Sequence, residues 1–291
     1  ALGFRPFYLA AALFAAGALT AWMFAYHGEW RPDLPLPPVA WHAHEMLFGF
    51  AAAVIAGFLL TAARNWTGHE TASGAVLLAL VLLWLTARIL NLVGPGRPGA
   101  LVDAAFLPVC ALVLAIPLWR ARNRRNYFVV PLLLALGLVN LLHHGASQAG
   151  WSGSGGQALP SVALNVAAGL IALLMTVIGG RVIPAFSANA IPGLRPRVRP
   201  WVEYPVIGLM LLIPVLDLAA GWLSLPGGTV VALLMLAASL QLVRLAGWQP
   251  WRTRGHALLA MLPLAYAWIP LYLLLRAAAT ADPAMASIAL H

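Results

Sequence analysis

Few side chains in this sequence can do chemistry, and most of those that can are histidines, of which there are eight. Two pairs stand out: His42 and His44, with Glu45 beside them, and the consecutive His143 and His144. Imidazole nitrogen without competing thiolate suits copper, zinc or haem iron, so all four histidines are candidate ligands for a metal ion or a haem. On a regular helix His42 and His44 point about 200° apart, too far to hold one metal ion together. One of them then ligates while the other supports it, or the two serve different sites. His143 and His144 diverge by about 100°, which lets both reach one cavity. His291 is a further candidate ligand, and Arg88 and Arg276 are candidates to pair with haem propionates. The competing reading for those two arginines is ordinary snorkelling at a membrane interface. Cys110 is the single cysteine, so neither a disulfide nor a cysteine-based metal site forms within the chain.

What must position these residues is set by the solvent. Of the 291 residues 62% are hydrophobic and 9% charged, against about 25% charged in a soluble protein. So few charges cannot cover a water-facing surface. A hydrocarbon layer takes roughly 20 apolar residues as a helix, and nine segments meet that length: 7–26, 40–62, 72–93, 100–119, 127–147, 160–182, 202–222, 229–247 and 256–276. A tenth starts after Pro283. Backbone in lipid must satisfy its own hydrogen bonds, and these runs are apolar all round rather than alternating, so they are helices and not barrel strands. The fold class is therefore all-α, a polytopic transmembrane bundle forming one domain over 1–291. The sequence starts without Met, and a continuation is expected at both ends.

The arginines orient the bundle. With the N-terminus in the cytoplasm, thirteen of the 17 basic residues, all of them Arg, fall at cytoplasmic helix ends. Only Arg31, Arg88, Arg97 and Arg276 fall outside, which is the positive-inside pattern. The runs Arg120–Arg125 and Arg181–Pro200 are then orienting loops, and the net charge of +9 does not imply nucleic acid. On this topology His27, His42, His44, His143, His144 and His291 all lie in the outer half of the bilayer, with Glu45, Arg88, Asp103 and Asp217. Ionisable groups at membrane depth are costly and face the bundle interior, where they mark function. His27, His69 and His256 read as ordinary interfacial residues.

Several strings carry a family resemblance. Gly3-Phe4-Arg5-Pro6-Phe7 before the first span, Trp41-His42-Ala43-His44-Glu45-Met46-Leu47-Phe48-Gly49, Asn65-Trp66-Thr67-Gly68 and Gly180-Arg181-Val182-Ile183-Pro184-Ala185-Phe186 resemble the NnrS family. The string from Trp41 to Gly49 is the most specific. The resemblance implies a bacterial inner-membrane protein of about twelve helices that contains haem (b-type) and copper and is tied to nitric-oxide stress. It supplies a class of cofactor and no ligand map. From position and geometry, the iron ligands are expected to be His44 with His143 or His144. His42 and Glu45 take supporting or second-metal roles, and His143 with His144 form a copper site.

The function expected from both lines is delivery of electrons, from a quinol or another donor, to a haem that binds or reduces nitric oxide. Two other classes compete with this oxidoreductase reading. A sensor or scavenger would bind haem or metal without turnover. A transporter would show broken helices and a polar site near the midplane, and here the single candidate break is Gly179-Gly180.

Overall fold

The structure is a computed structural model that describes residues 3–29, 36–94, 96–150, 159–220, 223, 225–282 and 285. Among these residues every regular element is helical, and nine helices are long and apolar enough to cross a membrane. They are α1 (Phe4–His27); α2 (Pro38–His44), which runs through a π-helical segment (Glu45–Ala51) into α3 (Ala52–Thr67); α4 (Gly74–Val93); α5 (Gly96–Arg120); α6 (Val129–Ala149); α7 (Leu159–Ala190); α8 (Pro200–Ala219); α9 (Gly227–Gly247); and the pair α10 (Ala257–Tyr266) and α11 (Trp268–Ala281). Each expected segment has its helix. The expected start of a tenth, with His291, lies outside the described residues.

Local sequence explains the ends and breaks. α3 stops where Gly68 takes a left-handed conformation, φ 69°, and returns its N–H to the carbonyl of Arg64. Glycine reaches that conformation without a Cβ penalty, so the Asn65–Gly68 string is a helix stop. α10 and α11 part at Ala267 because Pro270 has no N–H to continue the ladder. Gly179-Gly180, by contrast, does not break α7, which continues to Ala190. Arg181 is therefore helical, and the basic connection is only 191–199. Both glycines are sites of close approach: a Cβ on Gly179 would meet the Tyr266 ring at 2.9 Å, and one on Gly180 would overlap the Arg244 guanidinium.

Polarity is distributed as lipid requires. Leu13, Leu138 and Leu258 are exposed, whereas Glu45, Asp103 and His143 are buried. The chain forms two compact units, residues 1–167 and 168–291, divided inside α7. In the first, α1 packs on α3, α3 and α4 on α5, and α5 on α6. In the second, α9 packs on α8 and α11. The approach of α5 and α6 depends on Gly137, where a Cβ would collide with the Pro108 ring and lie 3.0 Å from the Ala104 carbonyl oxygen.

Candidate metal centre

The first unit buries one polar cluster, built by four spans. His44 closes α2, and Glu45 opens the π-helical segment. A π turn closes i→i+5, so it shifts the facing of the side chains that follow it, and such turns recur at functional sites. The segment is held by Trp84 of α4, whose indole N–H donates to the Gly49 carbonyl at 3.0 Å. Gly49 also makes room for Arg88: a Cβ there would meet Arg88 Nη1 at 3.1 Å and Phe14 Cε1 at 2.6 Å.

Arg88 and Asn91, neighbours on one face of α4, tie two carboxylates together. Arg88 Nη1 donates to Glu45 Oε2 at 2.6 Å, and its Nη2 donates to Asp103 Oδ1 on α5. The Asn91 amide donates to Glu45 Oε1 at 3.2 Å and to Asp103 Oδ2 at 3.0 Å. Removing a carboxylate from water costs several kcal/mol, and here each is repaid by charge-assisted hydrogen bonds. One guanidinium stands against two carboxylates, which leaves one negative charge for the imidazoles or a bound ion to balance. A cation, whether a proton or a metal ion, completes the balance.

The imidazoles converge on that charge. His144 Nε2 lies 2.8 Å from Asp103 Oδ2. His44 places Nδ1 3.0 Å from Glu45 Oε1, and Nε2 3.0 Å from Asn140 Oδ1 and 3.2 Å from Asp103 Oδ2. His143 stacks on His44 with ring centroids 5.0 Å apart. Its Nδ1 lies 3.1 Å from the Pro160 carbonyl, which can only accept, so Nδ1 carries the hydrogen and Nε2 the lone pair. That Nε2 is buried with no hydrogen-bond partner. A metal-binding imidazole takes this form, one nitrogen anchored to a carbonyl and the other open.

The structure thus gathers five of the expected site residues, His44, Glu45, Arg88, His143 and His144, in one place. His42 lies elsewhere, stacked at 4.3 Å on Trp22 of α1. Arg276 belongs to the second unit, where its two Nη atoms reach Asp217 at 2.9 and 2.6 Å. His291 is outside the described residues. Three members of the cluster were not singled out as site residues from the sequence: Asp103, noted there only as an intramembrane carboxylate, Asn91 and Asn140. Helical spacing could have found the asparagines. Asn91 is three residues after Arg88 and Asn140 four before His144, which puts each on its partner's face.

One ligand atom each from His44, Asp103 and His144 lie within 4.8 Å of one another. Two imidazoles and a carboxylate, with a third imidazole alongside, suit copper, zinc or non-haem iron. The adjoining pocket, lined by Trp41, His44, Glu45, Asn91, His144 and Ser147 among others, measures about 60 Å³. At about 30 Å³ per water it holds a diatomic molecule. The donor set present fits a metal ion.

A family model described as NnrS protein matches residues 1–291, the whole chain. No curated protein and no solved structure matches it.

Proposed function

The chain belongs to the NnrS family, and from that premise we propose that it handles nitric oxide at a copper ion held by His44, Asp103, His144 and His143. The observation that carries this reading is the convergence of three candidate ligand atoms within 4.8 Å, in a buried cluster where two carboxylates face one guanidinium. Copper is preferred to zinc or non-haem iron because imidazoles outnumber the single oxygen donor and the ligand to be handled calls for redox chemistry.

When bound, copper supplies a one-electron centre to which nitric oxide can bind. The protein does the rest. Glu45 accepts the Nδ1 hydrogen of His44 and fixes its tautomer, which leaves Nε2, on the side of Asp103 and Asn140, to ligate; Pro160 fixes the His143 tautomer in the same way. Arg88 and Asn91 keep the Asp103 carboxylate aimed at the imidazoles. Nitric oxide is small and neutral and enters through lipid, so no charged vestibule is needed. The pocket beside His44 and His144 has room for it. Electrons from a quinol or another donor then make the protein an oxidoreductase.

The test is metal loading of the purified protein followed by addition of nitric oxide. Stoichiometric copper with an imidazole-type electron paramagnetic resonance signal, lost in His44→Ala and in His144→Ala, is the expected result. Consumption of nitric oxide with a reduced quinol assigns turnover, and binding without consumption assigns a sensor or scavenger. An optical spectrum of oxidised and dithionite-reduced protein reads haem directly. A Soret band abolished by His44→Ala would place haem at these histidines and overturn the copper assignment.

The proposed setting is the bacterial inner membrane with the N-terminus in the cytoplasm, supported by the arginine bias. In a Cys110→Ala background, a cysteine at exposed Ala149 should label from outside and one at exposed Asn189 should not. The reverse pattern inverts the topology.

A further inference from the structure

The second unit holds a cavity of about 500 Å³ at the arginine-rich ends of α8 and α9. We propose that it binds the anionic phosphate headgroup of a membrane lipid. This goes beyond the nitric-oxide reading and shares no residue with it.

Charge carries the argument first. Arg197, Arg199, Glu203 and Arg244 all line the cavity. Its one carboxylate is already spoken for: Arg244 Nε donates to Glu203 Oε1 at 2.9 Å, and Arg244 Nη2 to Oε2. Arg244 itself is buried and held further by the Thr176 carbonyl at 2.9 Å and the Tyr266 hydroxyl at 2.6 Å. Among the described residues no carboxylate pairs with Arg197 or Arg199. Two exposed arginines with no carboxylate partner therefore line the cavity, and guanidinium forks match phosphate oxygens two at a time.

The cavity is also preorganised. Residues 194–199 are an irregular, non-helical segment docked on the end of α9. The Arg197 N–H donates to the Gly247 carbonyl at 2.8 Å, and Gln249 Nε2 to the Arg195 carbonyl at 3.1 Å. Pro196 and Pro200 disfavour helical backbone in Arg195 and Arg199, the residues before them. Gly247 permits the docking, since a Cβ there would lie 2.8 Å from the Arg197 carbonyl oxygen. Arginines serving only to orient the chain need no such scaffold, because the orienting bias counts charges near helix ends and not their geometry.

Depth selects the ligand. α8 begins at Pro200 and α9 ends at Gly247, so the cavity sits where two spans leave the hydrocarbon. Exposed Trp251 lines it, Trp201 and Tyr204 are exposed in the first turns of α8, and aromatic rings of this kind settle at headgroup level. Arg199 lies over the Trp201 ring at 5.7 Å. Basic pockets between spans on the cytoplasmic side bind anionic headgroups.

The experiment is native mass spectrometry of the full chain from detergent, offered phosphatidylglycerol and phosphatidylcholine of matched acyl chains. We expect selective retention of phosphatidylglycerol, reduced about tenfold in R197Q/R199Q and unchanged in R5Q/R64Q, two exposed arginines at helix ends whose cavity already holds the Glu70 carboxylate. G247V, which moves the Arg197 backbone and keeps every charge, should lower retention as well. Equal losses in the two arginine double variants would reduce the effect to unspecific surface charge and overturn the site. So would equal retention of the two lipids by the unaltered protein. Displacement of the lipid by millimolar inorganic phosphate would overturn a lipid as the source and assign a soluble phosphate compound.

Discussion

His144 Nε2 lies 2.8 Å from Asp103 Oδ2, although the two residues are 41 positions apart and on different spans. The contact exists because α6 lies against α5 without a side chain at Gly137. It brings to α6 a carboxylate that Arg88 already holds from α4. The two residues are therefore both ligand candidates and the fastening of three helices.

Asp103→Asn keeps the size of the side chain and removes the charge on which His44 and His144 converge. Copper affinity, measured by equilibrium dialysis against a competing chelator, should fall by about 10- to 100-fold or more, the scale for disturbed ligands and their supports. His42→Ala should leave it within about twofold, because His42 stacks on Trp22 away from the cluster.

Arg88→Met strands two buried carboxylates. Breaking a buried pair from one side costs about 3–5 kcal/mol, and a marked fall in the unfolding midpoint in detergent should show it. The double variant Arg88→Met/Asp103→Asn removes one charge of each sign and should recover part of that loss. A double variant no better than the single one would mean that the pairing is not what stabilises the cluster.

Gly137→Leu forces a side chain into the Pro108 ring and should push α6 away from α5. Overpacking of this kind costs about 1–3 kcal/mol. Copper affinity should fall with stability, since His144 leaves Asp103. Gly17→Leu, at an exposed position with nothing within 4 Å of its Cβ, should change neither.

Gly180→Ala and Gly208→Ala should have opposite signs. Alanine in a helix interior is favoured over glycine by roughly 0.5–1 kcal/mol, and Gly208 has open space, so its variant should gain stability. At Gly180 the new Cβ would overlap the Arg244 guanidinium and dislodge it from Glu203 and Tyr266. Thermal unfolding in detergent separates the two outcomes, and stabilisation by both would remove Gly180 from the packing around Arg244.

Much of this molecule could be read from the sequence because lipid makes composition speak plainly. With apolar residues all round each span and charges scarce, the nine described helices follow from length and hydropathy alone. Depth is also legible, since each residue advances a helix by about 1.5 Å. That is why His44, His143, His144, Glu45 and Arg88 could be grouped before any contact was known. Direction around each helix is another matter. Which face of α2 meets α6 depends on the π-helical segment after His44, on Gly49 and Gly137 admitting their neighbours, and on the packing of four spans. Hydropathy carries no such information where every face is apolar. Tertiary structure therefore decided that His44 joins the cluster while His42 turns to Trp22, that Asp103, Asn91 and Asn140 complete it, and that Arg276 goes to Asp217. The sequence determined the depth of each group; packing determined which groups meet.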